Sequence, residues 1–124
     1  MVKVAASEFS KEIIRICSES KIVNIWDVKI YEDIVTKIRI FLTDKSFIEV
    51  YYNFETGKIS FAWIRNNKRV YGADNLAYWH LHPIENPEDH VKSDEISFTQ
   101  FLLNVEKYFG KSNFGKGIKR AQRQ

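Results

Sequence analysis

Residues 35–65 read VTKIRIFLTDKSFIEVYYNFETGKISFAWIR, and this stretch decides the fold. In Val35–Leu42, Thr36, Ile38, Ile40 and Leu42 share one face while Lys37 and Arg39 share the other. In Ser46–Phe54 the same alternation sets Ile48, Val50, Tyr52 and Phe54 apart, and in Lys58–Arg65 it sets Ile59, Phe61 and Trp63 against Ser60, Ala62 and Ile64. A period of two over β-branched and aromatic residues is the signature of half-buried strands. Thr43-Asp44-Lys45 and Glu55-Thr56-Gly57 separate these runs as short turns, Gly57 supplying the positive φ that tight hairpins need. Asn66-Asn67 is a third turn, leading into a short strand at Lys68–Tyr71. Connections this short require antiparallel neighbours, because a parallel crossover needs a dozen or more residues.

Working outward, Ile22–Tyr31 is a further β-rich run containing Trp26. Ahead of it, Phe9, Ile13, Ile16 and Cys17 recur at three- and four-residue spacing, which predicts an amphipathic helix capped by Ser7 and running to about Ser20. Beyond the meander, Leu76–His82 reads as a last strand or extended segment, and Pro83 and Pro87 enforce an irregular loop. Ser93 can cap a second helix, with Asp94 and Glu95 at its positive end. Ile96, Phe98, Phe101, Leu102, Val105 and Phe109 form its apolar face, and Gly110 ends it. The expected fold class is therefore α+β: an N-terminal helix, an antiparallel meander of about five or six strands, and a C-terminal helix packed on one sheet face. Residues 1–110 form the single domain and 111–124 a basic, mobile tail.

The chain of 124 residues, 44% hydrophobic, fits one domain with its own core. One cysteine, Cys17, permits no internal disulfide and suits a reducing cytoplasm; on the apolar helix face it belongs to the core. The N-terminus has no long apolar core of a signal peptide, and no run approaches a membrane span. The net charge of +3 is uneven. Six of the nineteen basic residues follow Glu106 with no acid among them, so the tail suits nucleic acid or another acidic partner, or simply solvation. There is no P-loop, dinucleotide fingerprint or serine elbow, which takes most of the weight from nucleotide-hydrolysing and hydride-transfer classes.

All three histidines lie in eleven residues, His80, His82 and His90. On an extended Tyr78–His82, residues Tyr78, His80 and His82 share a face, with Trp79 and Leu81 opposite. Three chemistries are open to them. Three imidazoles can hold one divalent transition metal such as Zn with an open position, and Glu85, Glu88 or Asp89 can add a carboxylate. Without any cofactor, His80 and His82 can act as general base and acid with His90 assisting; Tyr78, Arg65, Lys68 and Arg69 are then available as aides, and a cation such as Arg65 or Lys68 would hold a scissile phosphate. Or the histidines pair with carboxylates and backbone at a strand end, and the protein is a catalytically silent interaction module. Lys37 and Arg39 form either a phosphate-binding strip or a solvated sheet face, and Trp26 and Trp63 belong to the core.

The run Ser60–Arg65, then Tyr71-Gly72-Ala73-Asp74-Asn75, then Trp79-His80-Leu81-His82-Pro83 with Asn86-Pro87-Glu88-Asp89-His90, resembles the TumE-like group of putative toxins from prokaryotic toxin–antitoxin pairs. The resemblance covers roughly Thr36 to Val91 and matches His80, His82, Asn86 and His90. It implies a cytoplasmic toxin, encoded beside a DNA-binding antitoxin; by analogy with other toxins of this size, the activity would be that of an endoribonuclease. The partners to expect are RNA, a DNA-binding antitoxin and, through self-association, a second copy of the chain, with no membrane among them.

Overall fold

A computed structural model describes residues 4–110; the expected mobile tail at 111–124 lies outside the described residues. The alternation of residues 35–65 becomes the centre of a seven-stranded sheet, every neighbouring pair antiparallel and in sequence order. The elements are α1 (Ala6–Ser18), β1 (Val23–Tyr31), β2 (Val35–Leu42), β3 (Phe47–Asn53), β4 (Ile59–Arg65), β5 (Lys68–Asp74), β6 (His80–His82), β7 (Val91–Lys92) and α2 (Phe98–Tyr108). The meander is longer than five or six strands because the histidine segment itself makes a small hairpin, β6–β7, on the edge of β5. The hairpin turn Asn66-Asn67 has both residues at positive φ, the conformation that matches strand twist.

Both helices cover the same sheet face. Phe9 of α1 stacks on Tyr52 of β3 with ring centroids 4.2 Å apart, and Phe101 of α2 stacks on Tyr71 of β5 at 4.8 Å. Tyr52, Val50, Phe61, Trp63 and Tyr71 are linked through cross-strand register to that one face, and all are buried. Trp63 is fully buried, its indole N–H donating to Ser46 Oγ at 3.0 Å, and Trp26 packs half-buried against the same core. Among the described residues, no helix covers the opposite face. Among the described residues, no helix is long and apolar enough to cross a membrane.

Both helix starts differ from expectation. Ser7 does not cap α1; Ala5 holds that position without a side-chain cap, and Asp33 in the β1–β2 turn supplies the acceptor, its Oδ1 accepting from Ser7 N at 2.7 Å. Glu32 and Asp33 adopt positive φ to bring that carboxylate round, so the first hairpin pins the helix. In α2 the cap is Ser97, four residues after Ser93. Its Oγ accepts from Gln100 N, while Gln100 Oε1 accepts from Ser97 N, a reciprocal capping box. Asp94 and Glu95 therefore precede the helix instead of occupying its first turn. The helix stops at Tyr108, and Gly110 follows with φ +86°.

Losing a serine N-cap costs about 1 kcal/mol. Ser97→Ala should lower the unfolding free energy measured in urea by that amount, whereas Ser93→Ala should change it by less than about 0.5 kcal/mol. Equal losses would contradict a helix start at Ser97.

Candidate functional site

The site follows from register. Gly72 of β5 stands opposite His82, Ala73 opposite Leu81, and Asp74 opposite His80. Ala73 is buried under the helices and Leu81 packs against that core, so His80 and His82 turn to the uncovered face. On β7, Val91 stands opposite Leu81 and Lys92 opposite His80; the same register continued one step sets His90 against His82. The loop between them is held by Ile84, which is buried in the core, and by turns in which Asn86 N donates to Pro83 O and Asp89 N to Asn86 O. The three imidazoles consequently meet. Ring centroids are 5.1 Å apart for His80–His82, 5.0 Å for His80–His90 and 4.5 Å for His82–His90. One ring nitrogen from each lies within 4.8 Å of the others.

A fourth residue organises the cluster. The Asp74 carboxylate lies between the two strand histidines, Oδ1 at 3.2 Å from His80 Nε2 and Oδ2 at 3.2 Å from His82 Nε2. Sequence reasoning does not single it out. The signal for it is an acid that follows the run Val70 to Ala73 and closes the strand one short connection before His80. The other nitrogen of His80, Nδ1, is 3.1 Å from the Tyr78 carbonyl. Both of its neighbours are acceptors, so each contact is a hydrogen bond only where the nitrogen carries a proton. For His82 the matching logic puts the proton on Nε2, toward Asp74, and leaves Nδ1 bare; that atom is buried and has no partner among the described residues.

His80 and His82 are 5% and 3% exposed, not the half-open strand-end residues that a terminal strand would present, while His90 is open to solvent. Burial pushes the His82 imidazole below its ordinary pKa; the hydrogen bond to Asp74 opposes this, and the positive charges of Arg69 and His90 add to it.

Of the expected aides, Tyr78 lies beside the cluster, its half-exposed ring 5.6 Å from that of His80 and 5.7 Å from the Lys92 ammonium. It gets there through a turn with Ala77 at positive φ, because the strand begins only at His80. Arg65 is not brought to the histidines. It pairs with Asp44 and lies over the Trp63 ring, at the far end of β4 from Ser60, the residue opposite Asp74. Five residues of strand separate the two ends, about 17 Å. Lys68 is opposite Arg65 at that same end. The cation that does approach is Arg69. A bulge at Val70 turns it to the uncovered face, and its Cδ lies 3.1 Å from where a side chain at Gly72 would begin, with His82 Cδ2 at 3.4 Å from the same point. Glycine at 72 is what lets Arg69 and His82 meet. Glu85, Glu88 and Asp89 stand outside the histidine group. Cys17 is buried, which pushes its thiol up to about 12, so it is a core residue as expected.

No known protein family, curated protein or solved structure matches this chain. The donor set itself fits a metal ion. Three imidazoles converge, one bare nitrogen is buried without a partner, and a carboxylate fixes the orientation of two rings, the usual companion of metal-bound histidine. Donors on a tetrahedral ion with bonds of ~2.0–2.1 Å stand about 3.4 Å apart. Binding one ion would need the present spacing to close and His80 to turn one nitrogen from Asp74 or the Tyr78 carbonyl toward it.

The depressed His82 pKa has a consequence for metal-free protein. The unfolded state takes up a proton below the ordinary pKa of 6.5 while the folded state resists it, so stability is full above pH 6.5 and falls as pH drops through the folded value. In chelator, wild-type stability measured by urea unfolding should decline from about pH 7.5 to about pH 5 more steeply than that of His82→Gln. Parallel profiles would show that His82 is not held neutral by the fold.

Proposed function

We propose that the chain is a metal-dependent hydrolase centred on His80, His82 and His90, with Asp74 orienting the ligands. The observation that carries this reading is the convergence of three imidazole nitrogens within 4.8 Å of one another, two of the rings sharing one carboxylate. A bound divalent ion such as Zn, held by three protein ligands, would supply a water activated near neutral pH. The chain's own residues do the rest. Asp74 holds the two strand imidazoles in place, Arg69 offers a charge for an anionic substrate beside His82, and exposed His90 leaves the site open on the solvent side.

Burial argues against metal-free acid–base catalysis at His80 and His82. A base must reach its proton within hydrogen-bond distance, yet both rings are buried and both Nε2 atoms face one carboxylate.

A toxin-like endoribonuclease is the second reading, and it is compatible with the first. It draws on the resemblance through Trp79–Pro83 and Asn86–His90, and implies a cytoplasmic chain with RNA as substrate and a DNA-binding antitoxin as partner. The phosphate-holding residue in that reading is Arg69, not Arg65, because Arg69 is the cation beside His82.

Untagged protein should carry about one divalent transition metal per chain by elemental analysis. His90→Ala, at an exposed position, should abolish that metal and leave the metal-free fold intact, while Asp74→Asn should weaken affinity ~10- to 100-fold. His80→Ala and His82→Ala should lose metal and also destabilise, since each leaves Asp74 short of a buried partner, at a cost of ~1–3 kcal/mol. Protein free of metal, with a melting temperature indifferent to added Zn and to chelator, would overturn the metal reading. For the second reading, cells making wild-type protein without a neighbouring antitoxin should stop growing and show cleaved RNA. Intact RNA in such cells would remove it.

A further inference from the structure

The uncovered sheet face runs unbroken into the histidine cluster. Across six strands, Lys29, Lys37, Tyr51, Ser60, Asp74 and His80 stand opposite one another in a single cross-strand row. The parallel row beside it runs from Arg39 through Glu49, Ala62 and Gly72 to His82. At the β1–β3 end the face is hollowed, a cavity of about 630 Å³ lined by Lys29, Lys37, Arg39 and the rings of Tyr31, Phe41 and Tyr51. Tyr31 and Phe41 are exposed. Cations and rings are interleaved here: the Lys37 ammonium is 5.9 Å from the Tyr31 ring, Lys58 is 5.9 Å from the Tyr51 ring, and the Arg39 guanidinium is 4.2 Å from the Phe47 ring. On the side toward the histidines the floor of the hollow is Ser60 and Ala62, two small, partly exposed residues, and beyond them Gly72 is covered by the side chains of Arg69 and His82. From Lys37 on β2 to His80 on β6 is four strand spacings, about 19 Å.

We propose that this face binds a single strand of nucleic acid, bases stacked on Tyr31 and Tyr51, phosphates beside Lys29 and Lys37, and the backbone led over the small-residue floor to Arg69 and the histidines. The proposal names the substrate of the hydrolytic centre and rests on that reading for its chemistry, not for its binding. An anionic backbone with one π-face per unit needs alternating cations and aromatic platforms along a shallow track, which is the pattern on this face. Glu49 and Asp27 temper the charge but are paired with Arg39 and Lys29. A duplex has its bases stacked inside and would offer these rings nothing to stack on.

The test is fluorescence anisotropy with labelled single-stranded RNA and single-stranded DNA of about 12 nucleotides, within the site sizes of single-strand binders, and the corresponding duplexes, titrated with full-length protein in EDTA. Single strands should bind, and more weakly as salt rises. Tyr51→Ala should weaken binding ~5- to 150-fold, the range for one base stack. Lys37→Glu, at an exposed position, should weaken it and lower the salt slope by at least ~0.7, the share of one phosphate left unneutralised; it carries the test alone if Tyr51→Ala proves unstable. Preference for RNA over DNA, or equal binding, both support the track. Duplex bound as tightly as single strand, no binding, or affinity unchanged in Lys37→Glu would overturn it. Because the titration is made without metal, a strand that binds but is never cut by metal-loaded protein overturns the hydrolase and leaves the track standing.

Discussion

Side chains on a strand change face with every residue, so the pairing of β5 with β6 decides which of His80, Leu81 and His82 meets Asp74. With Asp74 opposite His80, both histidines reach one carboxylate and Leu81 joins the core. Slipping the register by one residue would bury two imidazoles under the helices and push Leu81 into solvent. The apolar contacts of Leu81 and Ala73 and the polar contacts of Asp74 thus select the same alignment, one from each face. Ile84, sunk into the core just past the hairpin strand, anchors the loop that returns His90 to the cluster. The chemistry of one face is positioned by packing on the other.

That packing is itself tied together at the first hairpin. Asp33 caps α1 across the turn, Ser10 and Thr36 share the Ala6 carbonyl, and Tyr52 OH exchanges hydrogen bonds with Val4. These contacts fix α1 over β1–β3, while Phe61 packs against the rings of Phe98 and Phe101 from α2. Both helices lie on one face, and the other carries mainly polar and aromatic side chains with a few small or aliphatic ones such as Ala62 and Ile64.

The meander was legible in the sequence because Ile38, Ile40, Val50, Phe61 and Trp63 alternate without a break, and the histidine cluster because i and i+2 on a strand must share a face. Three features were not legible, for physical reasons. The start of α2 was expected at Ser93; the Ser97–Gln100 pair makes two reciprocal bonds where Ser93 with its acids makes none to the helix, and the better-satisfied end wins. The choice between Arg65 and Arg69 depended on a bulge. Strict alternation would set Arg69 on the helix side with Tyr71, and only the extra residue Val70 turns it toward His82. Asp74 was hidden because its role is tertiary: nothing local distinguishes an acid that ends a strand from one that bridges two imidazoles.

Energetics bear on whether the cluster is merely structural. His82 Nδ1 is buried without a partner, a state that costs ~1–3 kcal/mol in proteins whose whole stability is about 5–15 kcal/mol. A merely structural cluster would pair that nitrogen, or would replace the imidazoles and their carboxylate together by apolar residues, which can be nearly neutral. The fold instead keeps two buried imidazoles on one carboxylate, adds a third from the facing strand, and places glycine at 72 so that a cation can lie against them. Local rules broken together, at one place and without a gain in packing, are what a site selected for binding or reaction looks like. The bare nitrogen is the clearest of these: it is an acceptor with nothing to accept from, and an electrophile such as a metal ion is the kind of partner that removes the cost of burying it.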